Sequence, residues 1–171
     1  MELRTATPGD ARALAANVAE GFLSYREWAP QGWSPPVLGE RAARRLAERL
    51  SHPDAWCLMA LEQETLAGHV GMGAITAEDP DPAPAGTTNL WQLFVRPPWQ
   101  GRGLAATLLT AAIAEARRRG FQTMRLWTPR GAARARRFYE REGWTLTGAI
   151  HESTPSGLAT VQYARALEPA G

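Results

Sequence analysis

The sequence predicts a mixed α/β fold, with about seven strands in the sheet and about four helices against it. Two observations lead to this prediction. Short apolar runs typical of strands are interspersed with longer segments whose apolar residues recur every three to four positions, as in amphipathic helices. Their order is strand, two helices, three strands, helix, strand, helix and two strands, which is a layered α/β pattern without internal repeats.

The first half of the chain is predicted to open with a strand and two helices. Thr7 is suited to cap the first helix and Pro8 to its first position, while Leu14 and Val18 share its apolar face. The predicted elements are a strand at 2–6, helices at 7–20 and 37–50, and strands at 56–61 and 66–77 that are joined by a turn at 62–65.

The second half is predicted to alternate strands with two further helices. Gly143 is a plausible end of the last helix, and Val161 and Tyr163 share one face of the final strand. The predicted elements are a proline-rich acidic loop at 78–84, strands at 89–95, 122–128, 144–150 and 158–167, and helices at 103–119 and from Thr128-Pro129 to Gly143.

Composition excludes several classes of protein. At 171 residues, with 44% hydrophobic and 21% charged residues, the chain is expected to be a single globular domain over residues 1–171. The single cysteine, Cys57, lies in an apolar run, so we expect a core residue and a reducing compartment. No membrane span or secretory signal is visible, which favours a cytoplasmic location. The net charge of +2 gives no reason to expect nucleic-acid binding, and no metal is expected.

Residues 21–36 form an aromatic segment that is too apolar for a solvated linker. Phe22, Tyr25, Trp28 and Trp33 are interspersed there with glycine and proline. Such a segment either packs on the core or forms a lid over a pocket, and we favour the pocket because long loops are often functional.

The most informative segment is the turn Gln100-Gly101-Arg102-Gly103, which follows an apolar strand and opens a long helix. Backbone N–H groups at a helix start have no intrahelical acceptor and favour a phosphate. The turn also matches the dinucleotide pattern G-x-G-x-x-A, but residues 96–100 separate it from its strand and the next strand has no acidic residue. A turn that merely connects strand to helix is the remaining alternative.

Two motifs in this part of the chain resemble those of the GNAT-superfamily N-acetyltransferases. Gln100-x-x-Gly103-x-Ala105 matches the family's acyl-CoA signature, and the approach through Phe94 and Val95 looks like its fourth strand. About 35 residues downstream, residues 134–144 resemble the helix that carries the family's Phe-Tyr pair and its glycine-aromatic exit. The order of elements also fits a GNAT-like central mixed sheet along nearly the whole chain.

The resemblance implies a site for acetyl-CoA. The family's fourth and fifth strands diverge, and pantetheine pairs with strand backbone, here at Leu93 and Val95. The Val95 N–H is expected to polarise the thioester carbonyl, and Arg102 and Arg134 to contact phosphates. Backbone amides of the turn would hold the pyrophosphate; these belong to Gln100, Gly101, Arg102, Gly103, Leu104 and Ala105.

The resemblance also implies the reaction, which is direct attack of a primary amine of a small molecule or peptide on the acyl thioester. The family's tyrosine protonates the departing thiolate, and that residue is Tyr139 here. Two positions depart from the family pattern. Ala132 replaces an asparagine that contacts pantetheine, and Asn89 stands near the position of a glutamate base. A non-catalytic acyl-CoA-binding or sensing module is therefore the alternative function.

The acceptor amine is expected on the far side of the gap from the coenzyme. Aromatic rings there favour a partly apolar or cationic amine. Members of the family often form homodimers, and no residue here decides the oligomeric state. The candidate pocket residues are Tyr25, Glu27, Trp28, Asn89 and His151, and the candidate bases are Glu20, Glu27, Glu78, Asp79, His151 and Glu152.

Overall fold

A computed structural model of the chain describes residues 1–73, 83–152, 154 and 156–168. One seven-stranded mixed sheet runs through them in the order β1-β2-β3-β4-β5-β7-β6. Neighbouring strands are antiparallel, except that β4 and β5 are parallel. The predicted fold class is thereby confirmed. The strands are β1 Glu2–Thr5, β2 Trp56–Glu62, β3 Thr65–Gly73, β4 Thr87–Val95, β5 Thr123–Pro129, β6 Thr145–His151 and β7 Thr160–Ala166.

Helices cover both faces of the sheet. They are α1 Ala11–Ser24, α2 Glu40–Leu50, α3 Leu104–Arg118 and α4 Ala133–Arg141. Leu14 of α1 and Leu46 of α2 pack with Cys57 and Met59 in one cluster. The other face holds the larger cluster, in which Leu108 of α3 and residues of α4 pack on β3, β4 and β7. The sheet therefore separates two cores, with α1 and α2 on one side and α3 and α4 on the other.

Cys57 lies in the smaller core, as predicted. Its side chain is buried, and burial raises the pKa of its thiol to about 12. A thiol with this pKa stays protonated at neutral pH and is a poor nucleophile. In the described part of the chain, no helix has the length and apolar character of a membrane span.

The first two helices differ from prediction at their ends. The prediction ended α1 near Glu20, but it continues to Ser24 and then into a 3-10 turn at Tyr25–Glu27, because Phe22 packs on Phe94 of β4. Tertiary contact thus extends a helix that local composition would end. The second helix begins at Glu40 rather than at Val37, which is exposed.

The predicted start of α4 at Thr128-Pro129 was wrong, because Pro129 is the last residue of β5. The N–H of Arg130 donates to Ala159 on the β7 side of the strand. Successive N–H groups point to opposite sides of a strand, so the ring nitrogen of Pro129 faces β4. β4 no longer pairs with β5 at that level, and a proline there costs no ladder hydrogen bond. Gly143 ends α4 with φ +79°, as predicted.

Candidate active site

A gap opens in the middle of the sheet between β4 and β5. The two strands pair only from Thr87 with Thr123 to Leu90 with Leu126. Next to the last pair, the register of β4 against β3 shifts between Gly71 and Met72, which leaves Trp91 as an extra residue. Such a bulge bends its strand and increases the local twist. The rest of β4 therefore diverges from β5, and its edge lines the gap.

The backbone of β4 presents alternate residues to this gap. The Arg96 N–H donates to Ala67 O at 2.9 Å, so it points away from the gap towards β3. By strand alternation, the backbone groups of Val95 and Leu93 point into the gap. The side-chain amide of Gln100 donates to Val95 O at 2.9 Å and occupies that acceptor. The predicted pair Leu93 and Val95 is therefore brought to one edge, where the Val95 N–H faces the gap.

The glycine turn lies at the end of this edge and starts α3. Gly101 and Gly103 have φ of +75° and +82°, and a Cβ at either position would meet no atom within 4 Å. Among the described residues, no acceptor takes the backbone N–H groups of residues 101–106. They lie at the positive end of the α3 dipole. This arrangement suits a phosphate, so the residues present fit the pyrophosphate of coenzyme A.

Gln100 departs from its expected role in this turn. Its backbone N–H donates to Pro97 O at 3.2 Å and is therefore engaged. Its side chain instead bridges two elements, because it donates to Val95 O while its Oε1 accepts from Arg134 Nη1 at 3.1 Å. Gln100 thus fixes the end of β4 against α4. Arg102 is exposed in the turn.

Tyr139 of α4 is buried among aromatic rings. Its ring centroid lies 5.3 Å from Phe138, 5.9 Å from Trp144 and 6.2 Å from Tyr163. None of the residues that the structure describes makes a hydrogen bond with its hydroxyl. Burial, and then the nearby Tyr25, raise the pKa of Tyr139 above its ordinary value of 10. The hydroxyl is therefore protonated at physiological pH and is free to donate.

The aromatic segment lies on the α1 side of the gap and contacts both of its walls. Phe22 lies 6.0 Å from Phe94 on β4. Tyr25 lies 4.8 Å from Trp28, whose ring would be 2.9 Å from a Cβ at Gly131, just beyond β5. Trp33 Nε1 donates to Ser156 O at 2.8 Å, which attaches the segment to the β6–β7 connection. Burial raises the pKa of Tyr25 to about 12.

The other predicted pocket residues are less closely grouped. Asn89 is buried on β4, and its Oδ1 accepts from Arg125 Nε at 3.2 Å. His151 is half-buried at the end of β6, with its ring 6.3 Å from Trp127 on β5. Glu27 is exposed on the 3-10 turn.

The candidate bases are mostly engaged or exposed. Glu20 lies 3.0 Å from Arg96, and Glu152 lies 3.7 Å from Arg130. Glu78 and Asp79 fall outside the described residues. Three or more His, Cys, Asp or Glu side chains grouped as metal ligands are not found in the described part of the chain.

A buried chain of polar side chains connects α1, β3 and β4, and the sequence reasoning missed it. Arg96 Nε contacts Asn17 Oδ1 at 3.2 Å, and Asn17 Nδ2 contacts His69 Nδ1 at 2.7 Å. His69 Nε2 contacts Gln92 Oε1 at 3.0 Å. Asn17 and His69 are fully buried, and burial lowers the pKa of His69 to about 4. The available signal was Asn17 itself, a polar residue between Leu14 and Val18 on an apolar helix face.

The buried His69 is expected to make stability fall at mildly acid pH. The unfolded chain takes up a proton near pH 6.5, whereas the folded protein does so only near pH 4. The free energy of unfolding should therefore decrease as pH falls from about 6.5 to about 4, by about 3 kcal/mol for this residue. Urea unfolding of wild type and His69→Gln over this range measures it. Parallel curves for the two proteins would contradict the expectation, since all other groups are shared.

Comparison with known proteins identifies the family. The sequence model of the acetyltransferase (GNAT) family matches residues 22–144. This match covers most of the chain, which therefore belongs to the GNAT acetyltransferase family. No curated protein sequence matches the chain significantly.

Solved structures agree with the fold. A protein from Desulfovibrio desulfuricans, described as an acetyltransferase of the GNAT family, has 26% identity and a TM-score of 0.72, with 98% of this chain and 99% of that one covered. Ribosomal-protein-alanine N-acetyltransferase from Brucella melitensis has 22% identity and a TM-score of 0.73, with coverage of 98% and 100%. The structure of yncA from Salmonella typhimurium, with its cofactor acetyl-CoA, has 22% identity and a TM-score of 0.72, with coverage of 100% and 96%.

Proposed function

We propose that the chain is a single N-acyltransferase domain over residues 1–171. It would transfer an acetyl group from acetyl-CoA to a primary amine of a small molecule or peptide. The observation that carries this proposal is the juxtaposition of unbonded amides at residues 101–106 with a gap in the sheet. Tyr139, a protonated hydroxyl without a hydrogen-bond partner in the described chain, lies on the helix that Gln100 links to this gap.

The chain would bind the coenzyme almost entirely through its backbone. The amides of Gly101, Arg102, Gly103, Leu104 and Ala105 would hold the pyrophosphate at the positive end of α3. Leu93 and the N–H of Val95 would pair with the extended pantetheine, because these backbone groups face the gap as those of an edge strand do. Gln100 would act by its side chain, which keeps the end of β4 in place.

In the proposed reaction the amine nitrogen attacks the thioester carbonyl carbon. The new C–N bond forms, the C–S bond breaks, and the sulfur takes the Tyr139 hydroxyl proton. The nitrogen then loses its extra proton to solvent, and Tyr139 regains a proton from solvent, which completes the balance. The Val95 N–H would stabilise the negative charge that develops on the carbonyl oxygen, as a preorganised donor does in an oxyanion hole. The amine must arrive neutral, so its proton passes to solvent or to a base on the acceptor side.

The acceptor would approach from the α1 side of the sheet, opposite to α3. Tyr25 packs on Trp28, which lies against Gly131 beyond β5, and Phe22 of the same segment packs on Phe94 of β4. Aromatic faces of this kind bind alkyl groups and cations. Asn89 and His151 would form the floor and far wall of the same pocket.

Release of free thiol from acetyl-CoA tests the proposal. The protein is incubated with acetyl-CoA and a panel of small primary amines and peptides, and both thiol and acetylated product are measured. We expect stoichiometric thiol and amide from at least one amine. Tight coenzyme binding in calorimetry without thiol release from any amine would instead favour a non-catalytic acyl-CoA-binding module.

Trp28→Ala is expected to raise the acceptor KM about five- to tenfold, because a ring face that contacts the amine contributes about 1 kcal/mol. The KM for acetyl-CoA should not change, since Trp28 lies on the α1 side. Trp28→Phe keeps a ring and should restore much of the affinity. Steady-state kinetics for both substrates, with unfolding midpoints as a check on folding, measure this effect. An unchanged acceptor KM would exclude the aromatic segment from the pocket.

A further inference from the structure

Arg96 determines which atoms donate and which accept along the buried polar chain of Asn17, His69 and Gln92. A guanidinium can only donate hydrogen bonds, so the atom of Asn17 that faces Arg96 Nε at 3.2 Å must be the carbonyl oxygen. The Asn17 amide nitrogen therefore faces His69 Nδ1 at 2.7 Å, and also lies 3.4 Å from Phe94 O. Glu20, at 3.0 Å from Arg96 Nε, holds the guanidinium in place.

The same assignment of donors and acceptors extends through His69 to Gln92. Because Asn17 donates to Nδ1, the neutral imidazole carries its proton on Nε2, which must donate to Gln92 at 3.0 Å. Only the carbonyl oxygen of Gln92 can accept that proton. The amide nitrogen of Gln92 therefore points away from His69. Asn17 is 1% exposed and His69 is fully buried, so water does not compete for the bond between them, and this bond fixes the orientation of the chain.

The oriented side-chain amide of Gln92 lies on β4, the strand that forms one edge of the gap. Gln92 follows the bulge residue Trp91, beyond the last pair of β4 with β5. Its side chain contacts His69, which contacts α1, so it lies on the α1 side of the sheet. Gln92 is half-buried, and within the described ranges no acceptor bonds to its Nε2. Gln92 therefore offers an oriented N–H on the α1 side of the sheet, from the strand that borders the gap.

We propose that Gln92 determines acceptor specificity by donating to a carbonyl or carboxylate oxygen on the same molecule as the amine. This inference rests on the proposed acyl transfer and narrows its acceptor to amino-acid-like or peptide-like amines. A site that presents a half-buried donor discriminates strongly against a ligand without an acceptor, because the donor loses its water and gains no partner. His69 is a positioning residue in this scheme, since it acts through Gln92.

Matched amines test the proposal. Glycinamide and isobutylamine have nearly the same shape, but only glycinamide carries a carbonyl; β-alaninamide and isopentylamine form a second pair with longer spacing. The carbonyl also lowers the pKa of the amine, so kcat/KM is expressed per concentration of the neutral amine. On that basis we expect the wild type to favour the amide at least tenfold in one pair. Triglycine amide, compared with glycinamide, then distinguishes a peptide amine from a small amide.

Gln92→Glu is the decisive variant. A carboxylate still accepts from His69 but has no N–H to offer, so the preference for the amide should fall to near one, while the KM for acetyl-CoA is unchanged. His69→Leu should lower the same ratio by releasing the orientation of Gln92. The ratio of kcat/KM for the two amines does not change when part of the protein is inactive. It therefore distinguishes loss of Gln92 orientation from loss of folded protein.

Three results would overturn the inference. The wild type could show no preference within either pair, or Gln92→Glu could keep the wild-type ratio; in both cases acyl transfer stands and the role of Gln92 is lost. Absence of thiol release from every amine would remove the acyl-transfer proposal and this inference with it.

Discussion

Gly103→Glu is expected to weaken coenzyme A binding at least 100-fold. The substitution places a carboxylate beside the amides of residues 101–106, where the positive end of α3 and the unbonded N–H groups favour an anion. Repulsion between this carboxylate and the pyrophosphate adds to the loss of space. Isothermal titration calorimetry with coenzyme A measures the effect directly.

The chain offers a matched control at the other end of the same helix. Gly120 has φ +83° against +82° for Gly103, and a Cβ at either residue meets nothing within 4 Å. Gly120→Glu therefore introduces the same backbone strain and charge, about 25 Å from Gly103 along the helix. We expect it to lower the unfolding midpoint like Gly103→Glu but to leave coenzyme affinity intact. Equal affinities for both variants would refute the placement of the pyrophosphate.

Tyr139→Phe is expected to lower the rate of acyl transfer about 100-fold, as loss of a positioned general acid does. Coenzyme affinity should remain, because the predicted contacts come from the turn and from β4. Single-turnover measurements are required, since they report the chemical step even when product release limits kcat. Because the pKa of Tyr139 is raised, the wild-type rate should not decline with loss of this proton up to about pH 9.

A neighbouring tyrosine supplies the control. The Tyr163 hydroxyl donates to Glu140 at 2.7 Å and accepts from Arg136 at 3.0 Å, so Tyr163→Phe breaks two bonds. It should reduce stability and leave the single-turnover rate close to that of the wild type. Tyr139→Phe should show the opposite pattern, because no described residue bonds to its hydroxyl. A wild-type rate in Tyr139→Phe would remove its assigned role as acid.

The parts of the fold that the sequence predicts well are those controlled by local chemistry. The turn at 62–65 forms with Gln63 and Glu64 at positive φ, and the turn before α3 forms around Gly101 and Gly103. The second turn is settled by glycines that adopt positive φ without strain, and the first by its position between two apolar runs. The order of the strands and helices likewise follows from periodicities that need no distant contact.

The parts that escape prediction depend on residues far apart in sequence. Asn17, His69 and Gln92 come from three elements, and their polarity follows from Arg96, which lies 79 residues from Asn17. The motif at Gln100 suggested a backbone donor, but the side chain bridges β4 and α4 because Arg134 lies 34 residues away. Neither contact has a sequence signature, because the residues meet only when the sheet is assembled.

The divergence of β4 and β5 means that this sheet has an edge in its interior. An outer edge strand invites other chains to pair with it, which is a hazard for aggregation. Here the helical layers on both faces keep another strand out, while the backbone groups of Leu93 and the N–H of Val95 remain open to a slender, unbranched molecule. The gap thus selects a ligand by how thin it is, and this selection does not depend on any particular side chain. The recognition would therefore tolerate extensive change in sequence as long as the bulge at Trp91 keeps the two strands apart.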